Sequence, residues 1–97
     1  MSGPPEVPLV AESDRLRLRS IHSEQPTDLE FVNERSERVH LYWINFKARR
    51  MHYADLDPGD RAVMHTYLTH PWVACDSADR RIAFFLPAPA PSRAVIR

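Results

Sequence analysis

Arg38-Val39-His40-Leu41-Tyr42-Trp43-Ile44-Asn45-Phe46 is the stretch on which the fold turns. It is dense in β-branched and aromatic residues, which fit the pleated surface of a strand. Side chains alternate across a strand, so Val39, Leu41 and Trp43 share one face and His40, Tyr42, Ile44 and Phe46 the other. Both faces carry large side chains. Each must therefore meet something apolar, whether a second sheet or a bound partner.

Shorter segments of the same kind lie on either side. Leu29 and Phe31 fall on one face of the alternating run Asp28–Asn33. The polar stretch Asn33–Glu37 reads as a turn. Lys47–Arg50 reads as a hairpin turn, with Met51–Tyr53 as a short return strand. Pro58-Gly59 is a strong turn signal. After it, Val63, His65 and Tyr67 face one way in the strand Arg61–Leu68, with Met64, Thr66 and Leu68 facing the other. Thr69–Pro71 makes a corner, followed by the strands Trp72–Cys75 and Arg81–Leu86. An alternation of Arg15, Arg17 and Arg19 with Leu16 and Leu18 suggests a strand leading in.

Six or seven short strands, polar turns and no helical stripe predict an all-β fold, a small β-sandwich or barrel. The 97 residues suffice for one domain. Its expected limits are 15–87. Residues 1–14, with Gly3, Pro4, Pro5 and Pro8, read as a flexible arm, and 88–97 as an Ala/Pro-containing flexible tail. Proline lacks the donor that a ladder needs, so the run Pro87, Pro89, Pro91 cannot continue a sheet. Ala94–Ile96 is the one part of the tail suited to adding to an edge.

Composition removes several classes of function. Thirteen basic residues, twelve of them Arg and one Lys47, balance 13 acidic ones. A neutral chain has no broad field to gather nucleic acid, which weighs against reading Trp43, Arg49 and Arg50 as a single-strand platform. Cys75 is the one cysteine, so no disulfide forms within the chain. The N-terminus lacks the charged start and apolar run of a signal peptide, and no apolar stretch reaches bilayer length. A cytoplasmic or nuclear location is expected.

Nor does the usual chemistry assemble. Gly3 and Gly59 are too few for phosphate loops or dinucleotide fingerprints. No serine has glycine on both sides. Asp55 and Asp57 suit turn initiation better than paired-carboxylate catalysis. His65, His70 and Cys75 form no tight metal-ligand pair, and Cys75 has the neighbours of a small buried side chain. No catalytic residue, metal site or cofactor is expected. What remains is a cluster of Trp43, Tyr53, Tyr67 and Trp72 among His65, Thr66 and His70. Residues of this kind serve cores and interfaces alike, and the pattern alone does not separate the two.

The spaced set WINF…Y…LDPG…MHTYLTHPWVACD, running from Trp43 to Asp76, resembles the β domain of the von Hippel-Lindau tumour-suppressor family. The likeness extends over roughly Leu18–Leu86, with Asn33 and Phe84–Pro87 also similar. The resemblance implies a β-sandwich that captures a peptide containing 4-hydroxyproline as the substrate receptor of a ubiquitin ligase. Trp43, Tyr53 and Trp72 would enclose the proline ring. Thr66, standing where the family has a serine, and His70 would bind its hydroxyl. Met64, His65 and Tyr67 would line the groove. His22 and Glu24 stand where the family has an asparagine and an arginine at the groove's periphery, so a different peptide preference is expected.

The helical domain that recruits the elongin-cullin machinery in the family does not follow in this chain, so a complete ligase role is not expected of it alone. The expected partner is a hydroxylated or proline-containing peptide or protein, rather than nucleic acid or membrane. The alternative is a diverged non-enzymatic scaffold, or a proline-rich peptide binder without selectivity for the hydroxyl.

Overall fold

The computed structural model describes residues 3–11 and 18–97, and within them seven strands and no helix. The strands are β1 (Pro26–Asn33), β2 (Val39–Ile44), β3 (Arg50–Leu56), β4 (Arg61–Tyr67), β5 (Trp72–Cys75), β6 (Arg81–Phe85) and β7 (Ser92–Ile96). They form two sheets, of order β4-β1-β7 and β3-β2-β5-β6. All pairs are antiparallel except β1 with β7.

Alternation and register together select the inward face. In the first sheet, Leu29 lies opposite Met64, Phe31 opposite Ala62 and Thr27 opposite Thr66. In the second, Leu41 lies opposite Ala74 and Trp43 opposite Trp72. Leu29, Phe31, Val39, Leu41, Trp72, Ala74, Phe85, Ala94 and Ile96 close the core between the sheets. The Phe31 ring meets Trp72 at 5.4 Å and Phe85 at 6.0 Å, the latter edge-on, an arrangement that aromatic quadrupoles favour.

The outer face of the second sheet has its own apolar layer of Ile44, Val73, Cys75 and Phe84, against which Tyr42, Val10 and Leu18 pack. This answers the two-sided hydrophobicity of β2. One face meets the other sheet, and on the opposite face Val10 and Leu18 cover the layer around Ile44, leaving the His40 end open.

Both chain ends differ from expectation. Ser92–Ile96 is a strand rather than a free tail, with Ala94, Val95 and Ile96 buried. The proline run stops at Pro91, so the residues after it can donate to a ladder, and the edge of β1 away from β4 accepts them. The Thr27 hydroxyl donates to Ala88 O at 2.9 Å and holds the approach to β7. The N-terminal segment in turn lies along β7. Arg93 N donates to Pro5 O, Val7 N donates to Arg93 O, and Val7 is buried. Of the expected lead-in strand, residues 15–17 fall outside the described set, and Leu18 and Arg19 are not in a strand.

Two turns set the ends of the strands. Asp57-Pro58-Gly59-Asp60 closes with Asp60 N donating to Asp57 O, and Gly59 has φ +85°. Proline second and a positive φ third is the pattern of a type II turn, and it calls for glycine. Asn33, fully buried, ties this turn to the core. Its Nδ2 donates to Glu37 O and Leu56 O, and its Oδ1 accepts from Arg35 N. Replacing Asn33 by Ala strands two carbonyls and an amide. The expected loss of stability is about 3 kcal/mol in urea unfolding, and a loss below about 1 kcal/mol would contradict this account.

Candidate functional site: an aromatic cavity at one end of the sandwich

The strands bring their aromatic residues together through one irregularity. β2 and β3 pair regularly until Leu41 faces Ala54 and Tyr42 faces His52, which leaves Tyr53 as an extra residue in β3. A bulge of this kind bends the strand and re-aims a side chain. Here it turns the Tyr53 ring toward Trp43 (6.3 Å) and Trp72 (5.2 Å). The bulge also explains why β3 extends to Leu56 rather than ending at Tyr53.

Trp43 and Trp72 are cross-strand partners on the inward face, at the end of the β2–β5 pairing. The corner after β4 stacks the His70 imidazole on the Trp43 ring, at 5.1 Å and 22° between planes. Phe46 and Tyr67 meet the same imidazole at 5.4 and 5.0 Å. The result is a cavity of about 240 Å³ lined by Ser23, Trp43, Phe46, Tyr53, His65, Thr66, Tyr67, His70 and Trp72.

The polar atoms of the cavity are held from behind. Trp43 Nε1 donates to Ser20 Oγ at 2.8 Å, and Ser20 Oγ donates to Ile44 O. Trp72 Nε1 donates to Thr66 Oγ1 at 3.1 Å. With that oxygen accepting from the indole, the Thr66 hydroxyl has its own hydrogen to offer. His70 Nε2 lies 3.1 Å from His22 O and 3.2 Å from Ser23 Oγ. A carbonyl only accepts, so the partners assign the proton to Nε2, and in the neutral ring Nδ1 is an acceptor. Burial, the largest influence on this ring, pushes its pKa below 6.5, and the bond to His22 O only partly opposes it. One wall thus holds a hydroxyl that donates, and another an imidazole kept neutral so that it accepts.

Seven of the eight residues expected to bind peptide line this cavity: Trp43, Tyr53, His65, Thr66, Tyr67, His70 and Trp72. Met64 does not. It is partly buried and packs on the core between the sheets, where it lies opposite Leu29. His65 borders the cavity while its Nδ1 turns outward to Asp28 Oδ1 at 2.7 Å. His22 contributes through its backbone, and exposed Glu24 does not line the cavity.

Ser23 and Phe46 line the cavity without having been expected to. Phe46 was placed on the face of His40 by continuing the alternation of β2. That strand ends at Ile44, because Asn45 Oδ1 accepts from Lys47 N and Arg49 N and turns the chain. Ser23 sits between His22 and Glu24, and its position there is the only sequence signal it carries.

The remaining candidates are dispersed. Cys75 is buried, and burial raises its thiol pKa. Asp55 accepts from two histidines, while Asp57 pairs with Arg38 through its carboxylate and donates its backbone N–H to Asp60 Oδ2.

A family model for the VHL beta domain matches residues 18–83. The chain belongs to that family. It is therefore a protein-binding module and not an enzyme, and its partner is a peptide or protein. The match spans β1 to β5 and most of β6, and so every residue lining the aromatic cavity of this VHL beta domain.

The ionisation of His70 gives a pH signature with a defined sign. The unfolded chain takes up a proton at this residue near pH 6.5 and the folded chain at a lower pH. The contribution of His70 to stability is complete above 6.5 and is lost as the pH falls through the folded-state pKa. Nitrogen-detected NMR of the imidazoles should show His70 as the Nε2–H tautomer at neutral pH, protonating below 6.5. Titration at or above 6.5 would refute the assignment.

Proposed function

We propose that the cavity of this VHL beta domain binds 4-hydroxyproline within a peptide. The observation that carries the reading is that Thr66, whose hydroxyl is left able to donate, and His70, whose neutral ring is left with Nδ1 as acceptor, line one cavity walled by aromatic rings. A proline ring is flat-sided and apolar, and suits enclosure by Trp43, Tyr53 and Trp72. Its 4-hydroxyl both accepts and donates, and so satisfies both groups at once.

Thr66 is 4% and His70 6% exposed. A plain proline seated over them would take away their water and return no hydrogen bond, at a cost of about 1–3 kcal/mol. A site built around a hydroxyl can therefore reject the ligand that lacks it. Threonine in place of the serine named in the resemblance keeps the hydroxyl, and its β-branch restricts the rotamer.

Titration calorimetry with proline-centred peptides, in pairs differing only by 4-hydroxylation, tests the reading. The hydroxylated member of a binding pair should bind about tenfold tighter or more. Thr66→Val, which keeps the shape and removes the hydroxyl, should abolish most of that ratio. Equal affinity for the two members would leave a proline-rich peptide binder without hydroxyl selectivity and would refute the proposal.

A further inference from the structure

On the outer face of β2 and β3, away from the peptide cavity, His40, His52 and Asp55 converge on one point. Asp55 Oδ1 is 2.6 Å from His40 Nδ1 and 2.7 Å from His52 Nε2. Residues three apart in a regular strand point to opposite faces. His52 and Asp55 share a face because the extra residue Tyr53 lies between them. The register then places His40 opposite Asp55 and Tyr42 opposite His52. The Tyr42 ring meets the His52 imidazole edge-on at 5.5 Å and steadies it.

We propose that His40 Nδ1, His52 Nε2 and an Asp55 carboxylate oxygen form a binding site for a divalent late first-row metal ion, zinc or a neighbour. Two imidazoles and one carboxylate are a donor set these ions accept. The three ligand atoms already lie within 4.8 Å of one another. Zinc bonds nitrogen and oxygen at about 2.0–2.1 Å, and a tetrahedral ion spaces its ligands about 3.3 Å apart. The two contacts to the carboxylate oxygen lengthen by about 0.6–0.7 Å, and side-chain rotation on the exposed face lets the two imidazole nitrogens take up the same spacing.

The site is open to solvent, so an ion has a path in and water can take the fourth position. The nearby guanidinium groups are engaged elsewhere, Arg38 on Asp57 and Arg50 on Asp79. In the metal-free state each imidazole donates its proton to Asp55. On binding, His40 carries its proton on Nε2 and His52 on Nδ1, and both rings stay neutral. Sequence reading missed the site because alternation assigns His52 and Asp55 to opposite faces.

Calorimetric titration of the chelator-treated protein with zinc chloride alone, without peptide, tests the proposal. One ion per chain is expected, with affinity reduced at least tenfold in both His40→Gln and His52→Gln. On the unsubstituted chain, zinc should shift the imidazole nitrogen signals of His40 Nδ1 and His52 Nε2, which keeps the test independent of how the variants fold. Absence of saturable binding would overturn the proposal. So would affinity unchanged in the variants, or zinc-dependent shifts confined to His22, His65 and His70. None of these outcomes bears on the hydroxyproline reading, since no ligand of the ion lines the peptide cavity.

Discussion

An indole N–H taken out of water has to find an acceptor, and at Trp72 that acceptor is the Thr66 hydroxyl. Trp72 is 2% exposed and serves two environments at once. Its ring packs on Phe31 in the core between the sheets and on Tyr53 in the cavity wall. The hydrogen bond joins β5 in the second sheet to β4 in the first. It therefore ties the two sheets together beside the cavity and sets which way the Thr66 hydroxyl oxygen points. Core packing and ligand recognition are the same contact here, so the cavity is as rigid as the core behind it.

The second constraint is a single added residue. Without the bulge at Tyr53, the alternation of β3 would place Met51, Tyr53 and Asp55 on one face and His52, Ala54 and Leu56 on the other. Either the tyrosine would leave the cavity or Ala54 and Leu56 would leave the core. The bulge lets both stay, with Tyr53 beside Trp43, and Ala54 and Leu56 paired with Leu41 and Val39. The outward group of His52 and Asp55 is the other consequence. One irregularity thus shapes both faces of β3.

Much of this was legible in the sequence. Alternation predicted which side chains of β1, β2 and β4 share a face, because a half-buried strand has to segregate its faces, and the pairing of the sheets decides which face turns inward. The resemblance, rather than any local pattern, gathered Trp43, Tyr53, Thr66, His70 and Trp72 into one site, since those residues sit on four separate strands and a corner. Met64 lies outside the cavity because an inward residue can pack on the core or line the cavity, and alternation does not separate the two. The C-terminal pairing was legible in Ala94–Ile96, the part of the tail suited to an edge, although prolines were taken to end the domain. At Pro87–Pro91 they end only β6, and the residues beyond pair with the free edge of β1. Ser23 and Phe46 follow from turn geometry, which the identity of a single residue does not reveal.

The segment leading into β1 has no regular structure, yet it orients the most exacting group of the site. Thr69 holds it. Its Oγ1 donates to His22 O and accepts from His22 N and Ile21 N. Ser20 N donates to Asn45 O and anchors the other end. His22 O is thereby fixed where it takes the proton of His70 Nε2. The carbonyl is common to every residue type, so the side chain at position 22 can differ from the family's asparagine without changing the tautomer of His70. Sequence divergence along this segment therefore alters what surrounds the cavity and leaves the orientation of His70 beside Thr66 in place.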